Sequence, residues 1–205
     1  MIDEIVAAIR SGRPVILPTD TVYGLCADAY HEVPVRRLYR LKGRGEQQPI
    51  ALLTADVDVL LDAVPELRGR AGKLARALLP GPYTLILPNP ARRFRWLTGE
   101  RPDTIGVRVP ELSGDARPVL DRVGAVAATS ANLPGGHDPR RLEDVPAELR
   151  AGCAGALDSG ELPGTPSTVL DLTGSGPIVV REGAVPGAEA LSRVSELWAT
   201  ASSPG

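Results

Sequence analysis

Apolar positions along the chain repeat with two different periods. Ile2, Ile5, Val6 and Ile9 fall at i, i+3, i+4 and i+7, the stripe of an amphipathic helix, and Gly12 follows where such a helix stops. Short continuous apolar runs mark strands buried on both faces: Val15 to Leu17, Ile50 to Leu53, Thr84 to Leu87, Thr104 to Val109, Ala125 to Ala128, Thr168 to Leu172 and Ile178 to Val180. Helical spacing returns between them, at Val35 to Leu41, Val57 to Val64, Leu67 to Leu79, Arg117 to Val123 and Ala188 to Ala199. The mixture predicts a single α/β domain around a mixed sheet, because the alternation is too irregular for a doubly wound parallel one. The Pro- and Gly-rich joints near 80–82, 134–139 and 163–166 read as loops within that domain, which is expected over 1–200, with a flexible tail at 201–205.

Composition narrows the function. The hydrophobic content of 43% closes a sizeable core, no apolar run approaches the roughly 18 residues of a membrane span, and the N-terminus is acidic where a secretory signal is basic. A cytoplasmic protein without membrane association is the expectation. Cys26 and Cys153 give neither a disulfide framework nor a metal knuckle. A net charge of -2 and a pI near 5.8 argue against a basic coat for bulk nucleic-acid binding. His31 and His137 stand apart at no metal spacing, and no metal ligands are assigned. GRGEQQ at 43–48 lacks the third glycine of a dinucleotide fingerprint, and GRAGKL at 69–74 lacks the Ser or Thr of a phosphate loop.

What remains is polar residues at strand ends. PTDTVYGL at 18–25 leaves the first apolar run into two hydroxyls, a carboxylate and a phenol; a hydrogen-bonded turn or one wall of a ligand site both suit it. In Lys42-Gly43-Arg44 a helix breaks at glycine, which lets two cations turn toward one anion. Arg108 stands alone in the apolar strand TIGVRVP and needs an acceptor, either a structural carboxylate such as Asp20 or an anionic ligand. Thr129, Ser130 and Asn132 end another strand; Ser167 precedes a strand and Arg181 leaves one.

In this order and spacing, PTDTVYGL, KGR with its following Pro49, PGPYTLIL, GVRVP, TSAN, PSTVLDL and VREG resemble the YrdC-like family, the threonylcarbamoyl-adenylate synthases, from the first helix to Gly183. The resemblance implies a twisted, open mixed sheet with flanking helices and a positively charged groove. It implies formation of threonylcarbamoyl-AMP and pyrophosphate from L-threonine, bicarbonate and ATP with phosphate-bound Mg²⁺, for later transfer by separate proteins to tRNA, which itself would touch this chain weakly or indirectly. By the same resemblance Lys42 and Arg44 neutralise phosphate or carbamate oxygens. Thr21, Thr19, Tyr23, Arg108 and Ser167 serve threonine or the carbamate, and Arg44, Gln48, Thr104, Ser130, Asn132 and Arg181 the nucleotide. Gln48 and Leu53 depart from the Asn and the polar His that relatives carry there. The chain resembles the short, single-domain form. The alternatives are an RNA-binding or ribosome-associated module using the same groove, opposed by the 3% aromatic content, and a carbamoyl-adenylate domain of the hydrogenase-maturation type, which normally sits in longer chains with zinc knuckles.

Overall fold

The computed structural model describes residues 1–201, and Ser202 to Gly205 of the expected tail lie outside the described residues. In chain order the elements are α1 (Ile2–Arg10), β1 (Val15–Pro18), β2 (Tyr23–Asp28), α2 (Glu32–Lys42), β3 (Ala51–Thr54), α3 (Val57–Ala63), α4 (Arg70–Leu78), β4 (Tyr83–Pro88), β5 (Thr104–Arg108), α5 (Ala116–Val123), β6 (Ala125–Ser130), α6 (Ala147–Gly152), β7 (Thr168–Asp171), β8 (Ile178–Arg181) and α7 (Gly187–Ala201). Single turns of 3-10 helix lie at Pro65–Leu67, Arg95–Leu97 and Leu142–Asp144. The strands form one mixed sheet in the order β1-β2-β6-β3-β5-β4-β7-β8, with parallel pairs only at β3–β5 and β4–β7.

Every strand read from the sequence is present, and β2 adds one. Its sequence YGLCAD pairs antiparallel with β1, Pro18 opposite Tyr23 and Val15 opposite Cys26, so the polar residues 19–22 are a hairpin loop. Small residues hid it: Gly24, Cys26 and Ala27 lack the β-branched bulk that marks strands. The short α6 also went unread. Local chemistry fixes the helix ends elsewhere. Asp56 caps α3 by accepting the N–H of Val59 at 2.8 Å, and Gly43 ends α2 in the left-handed region at φ 65°.

Alternation within the strands decides which face is covered. Leu25, Ala27, Leu52, Leu85, Leu87, Ile105, Val107, Ala127 and Leu170 pack in one buried cluster with Val35 and Leu38 of α2, Leu60 of α3, Leu74 and Leu78 of α4, and Val194 of α7. The opposite face is covered only at one end. There Ile5, Val6 and Ile9 of α1 and Val119 and Leu120 of α5 bury Val15, Leu17, Cys26, Leu53 and Val126. Beyond that patch the outward residues Thr84, Ile86, Thr104, Gly106 and Val169 are half-buried. The bare stretch of sheet is the floor of a cleft.

Candidate active site

The cleft has a volume of about 510 Å³, within the roughly 300–1,000 Å³ of small-molecule sites. Its floor runs along β5 from Thr104 over Gly106 to Arg108, roughly 13 Å at ~3.3 Å per residue, flanked by Thr84 and Ile86 of β4 and Ala51 and Leu53 of β3. Thr19, Ser130, Arg44, Ser167 and Arg181 stand around it. No aromatic side chain lines it among the described residues.

Arg108, at the inner end, is buried and tied to the β1–β2 loop. Its Nη2 donates to Asp20 Oδ1 and to Thr21 Oγ1, both at 2.5 Å, and reaches Thr19 Oγ1 at 3.4 Å. The loop holds itself rigid for this purpose. Thr19 Oγ1 accepts the N–H groups of Thr21 and Val22 and donates to the Val22 carbonyl, while Asp20 Oδ2 accepts the N–H of Glu111. The Nε–H of Arg108 is buried with no partner. A buried donor without an acceptor costs about 1–3 kcal/mol, so this N–H is open to an acceptor that enters the cleft.

Arg44 and Arg181 carry charge without a counter-ion: no carboxylate among the described residues lies within salt-bridge distance of either. Arg44 donates to Thr129 Oγ1 at 3.2 Å and to the Pro49 carbonyl at 2.9 Å, and its Nε is buried and unpartnered like that of Arg108. Arg181 donates to the Ser167 carbonyl at 2.8 Å, and Ser167 Oγ meets Thr84 Oγ1 at 2.7 Å. Desolvation lowers the pKa of both guanidiniums, and for Arg181 the charges of Arg108 and Arg44 lower it further against the opposing pull of Asp138. Mutually repelling cations in a half-dry cleft stabilise an anion that enters among them. Gly183 lets the wall close: a Cβ there would lie 2.2 Å from the Pro166 carbonyl oxygen.

Of the residues singled out in the sequence, Thr19, Arg44, Thr104, Arg108, Ser130, Ser167 and Arg181 line the cleft together. Others sit elsewhere. Lys42 was expected to face phosphate, but the turn at Gly43 sends it inward as Arg44 goes outward. Its ammonium donates to the Ser130 carbonyl at 2.5 Å, the Asn132 carbonyl at 2.9 Å and Asn132 Oδ1 at 2.7 Å, using all three N–H groups. Burial pulls its pKa from 10.5 to about 8. Asn132 is held in the same knot, accepting from Ser130 Oγ at 2.7 Å and donating to the Gly136 carbonyl at 2.7 Å. Tyr23 is fully buried, and its phenol bonds Asp158 Oδ1, the Gly160 carbonyl and the Ser159 N–H, pinning a distant loop. Thr21 is buried behind Arg108 and reaches the cleft through it. Gln48 is exposed off the cleft, its carbonyl accepting the Tyr39 hydroxyl at 2.7 Å, and its neighbour Gln47 lines the cleft instead.

Thr129, noted at a strand end, also lines the cleft, while sequence reasoning passed over Gln47, Thr84, Thr98, Glu100 and Arg101. Thr84 was legible, as the polar alternate of an apolar strand. Thr98 to Arg101 were not: the loop reaches the cleft because Gly99, at φ 58°, packs where a Cβ would lie 2.2 Å from the Gln47 carbonyl oxygen. Neither thiol offers a nucleophile, since burial pushes both Cys26 and Cys153 to about 12.

The profile of the Sua5, YciO and YrdC family, described as "Telomere recombination", matches residues 7–183. A Pyrococcus abyssi protein named threonylcarbamoyl-AMP synthase is 34% identical over 92% of this chain and 56% of its own length. A Methylococcus capsulatus protein of the same name is 41% identical over 65% of this chain and 71% of its own. The crystal structure of P. abyssi Sua5 complexed with L-threonine superposes with a TM-score of 0.85 at 34% identity, covering 95% of this chain and 57% of that one. The chain thus spans little more than half the length of the P. abyssi protein.

Proposed function

The chain belongs to the Sua5, YciO and YrdC family, and from that membership we propose that it is a threonylcarbamoyl-AMP synthase, a nucleotidyltransferase acting in tRNA modification. The observation that carries the reading is the set of guanidiniums converging on one cleft, two of them with buried Nε–H groups that the protein leaves unpaired. Such a site takes two anionic groups at once, a carboxylate and a phosphate.

The amino group of L-threonine adds to the carbon of bicarbonate, water leaves, and the resulting carbamate oxygen attacks the α-phosphorus of ATP. The bond from that phosphorus to the bridging oxygen breaks and pyrophosphate departs. No covalent intermediate with the protein is required, so its work is positioning and charge stabilisation. Arg108 offers its free Nε–H to the threonine carboxylate, with Thr19 and Ser167 beside it. Arg44 and Arg181 stand over the phosphate and carbamate oxygens, where charge accumulates as the new bond forms. Ser130, Thr104 and Gln47 contact the nucleotide. Lys42 and Asn132 act from below, fixing the end of β6 so that Ser130 stays at the cleft. Mg²⁺ bound to ATP would add charge neutralisation of the phosphates beside Arg44 and Arg181. No helix among the described residues is long and apolar enough to cross a membrane, in keeping with a cytoplasmic enzyme that hands its product to separate transferase proteins. An RNA-binding module is not favoured, since the cleft lining lacks stacking platforms.

The test is incubation with ATP, bicarbonate and L-threonine, followed by mass spectrometry for threonylcarbamoyl-AMP and pyrophosphate. Both products are expected only when all three substrates are present. Equal pyrophosphate release without threonine or bicarbonate refutes the reading.

A further inference from the structure

The connection from β4 to β5, residues 89–103, supplies one wall of the cleft through Thr98, Glu100 and Arg101 and leads into Thr104. It is closed from outside the cleft by Asn89, a wholly buried residue that lines no part of it. The Asn89 amide uses both of its polar atoms: Nδ2 donates to the Arg93 carbonyl at 2.9 Å and the Pro102 carbonyl at 3.2 Å, and Oδ1 accepts the Arg93 N–H at 3.0 Å. Its backbone N–H donates to the Asp103 carbonyl at 2.7 Å, and its carbonyl accepts the Arg92 N–H at 2.9 Å. One residue thus ties the start of the loop to its end. Within the turn that it closes, Arg92 and Phe94 have φ of 51° and 49°, the non-glycine residues of left-handed φ among the described residues. Such a conformation persists where the surroundings over-determine it. The turn delivers Trp96 and Leu97 to the helix-covered core, where the Trp96 indole N–H donates to the Ala29 carbonyl at 2.8 Å and the Leu97 carbonyl accepts the Ile50 N–H at 2.9 Å. Thr98 to Arg101 then emerge at the cleft.

Resting on the synthase reading above, we infer that Asn89 is a positioning residue for the nucleotide: by locking the strained turn it holds the Thr98–Arg101 wall and Thr104 where the nucleotide binds. The ion pairs Arg92–Asp103 and Arg93–Glu66 on the same loop are largely exposed and hold it weakly. The amino-acid end of the cleft has a different support. Arg108 is bonded to Asp20 and Thr21 of the β1–β2 loop, and no hydrogen bond among the described residues joins residues 89–103 to residues 19–22. With the two ends supported separately, a defect at Asn89 reaches only one of them.

The experiment is calorimetric titration of ATP and of L-threonine into the wild type and Asn89→Ala, with thermal denaturation of each preparation. Asn89→Ala leaves the Arg93 N–H and two carbonyls without partners. It is expected to melt lower and to bind ATP about tenfold or more weakly, the scale of one or two lost hydrogen bonds, while threonine affinity stays within about twofold. The split between the two ligands is what a merely structural role would not produce: loss of both affinities in step, or of stability alone, overturns the inference. Should Asn89→Ala fail to fold, Trp96→Phe decides, because it removes only the indole N–H that seats the same turn on the Ala29 carbonyl. ATP affinity should then fall about threefold or more with threonine affinity unchanged, and unaltered ATP affinity overturns the inference. A wild type that binds neither ligand refutes the synthase reading and this inference with it, whereas a wild type that binds both, matched by Asn89→Ala, refutes the positioning role alone.

Discussion

Gly106 provides a test in which stability and binding move in opposite directions. It sits at the middle of β5, opposite Ile86, on the bare floor of the cleft. A Cβ built there meets Ala51 Cα and Thr84 Cγ2 at 3.9 Å, ordinary contact, and its backbone is outside the left-handed region, so alanine enters without strain. Replacing a strand glycine with alanine restricts the unfolded chain and stabilises by about 0.5–1 kcal/mol. For a chain of 205 residues that raises Tm by roughly 1–4 °C. The same methyl stands where a nucleotide would lie against bare backbone. Inserting a methyl into a close contact costs about 1–3 kcal/mol, which is a loss of ATP affinity of roughly 5- to 150-fold. Thermal denaturation and ATP titration on one preparation of Gly106→Ala read both effects. Unchanged ATP affinity would show that the ligand does not lie on this floor, and a lowered Tm would show that the space assigned to the methyl is absent.

Arg108→Lys should fold and bind ATP, since the ammonium can still serve Asp20, but lose the fork and with it about 1.5–3 kcal/mol of threonine affinity by calorimetry. Tyr23→Phe should lower stability by about 1–2 kcal/mol in denaturant titration through lost anchoring of 158–160, yet leave the threonine KM within about twofold. Lys42 gives a pH signature. Its folded pKa of about 8 lies below the ordinary 10.5, so between these values the unfolded chain binds the extra proton and stability rises with pH. The burial penalty is present in full below about pH 8 and relieved above it. The unfolding free energy of the wild type minus that of Lys42→Met should therefore increase from about pH 8 to 10; a flat or falling difference contradicts the burial of a charged ammonium.

The sheet was legible wherever strands were apolar and unbroken, because burial on the helix-covered face demands Leu, Ile and Val at Leu85, Leu87, Ile105 and Val107. Strand β2 was not, since its packing against β1 and β6 needs small residues that carry no strand signature. The cleft was half legible. Thr104 and Arg108 interrupt apolar strands and so mark an uncovered face, but nothing local says that α1 and α5 stop short of β4 and β5. Lys42 and Tyr23 were misplaced for the same reason: their partners lie 88 to 137 residues away, and inward and outward turns at a helix end look alike in one dimension.

The uncompensated charge of Arg44 and Arg181 also governs how fast each substrate arrives. The molecule as a whole has a formal net charge of -2, so at long range it does not attract anions. Within about a Debye length, ~8 Å at physiological ionic strength, the two guanidiniums draw in ATP and lose that reach as salt rises. Threonine, with no net charge, diffuses in unsteered. Added salt should thus slow the association of the nucleotide while leaving that of the amino acid nearly untouched, and a cell's ionic strength would set which of the two substrates waits for the other.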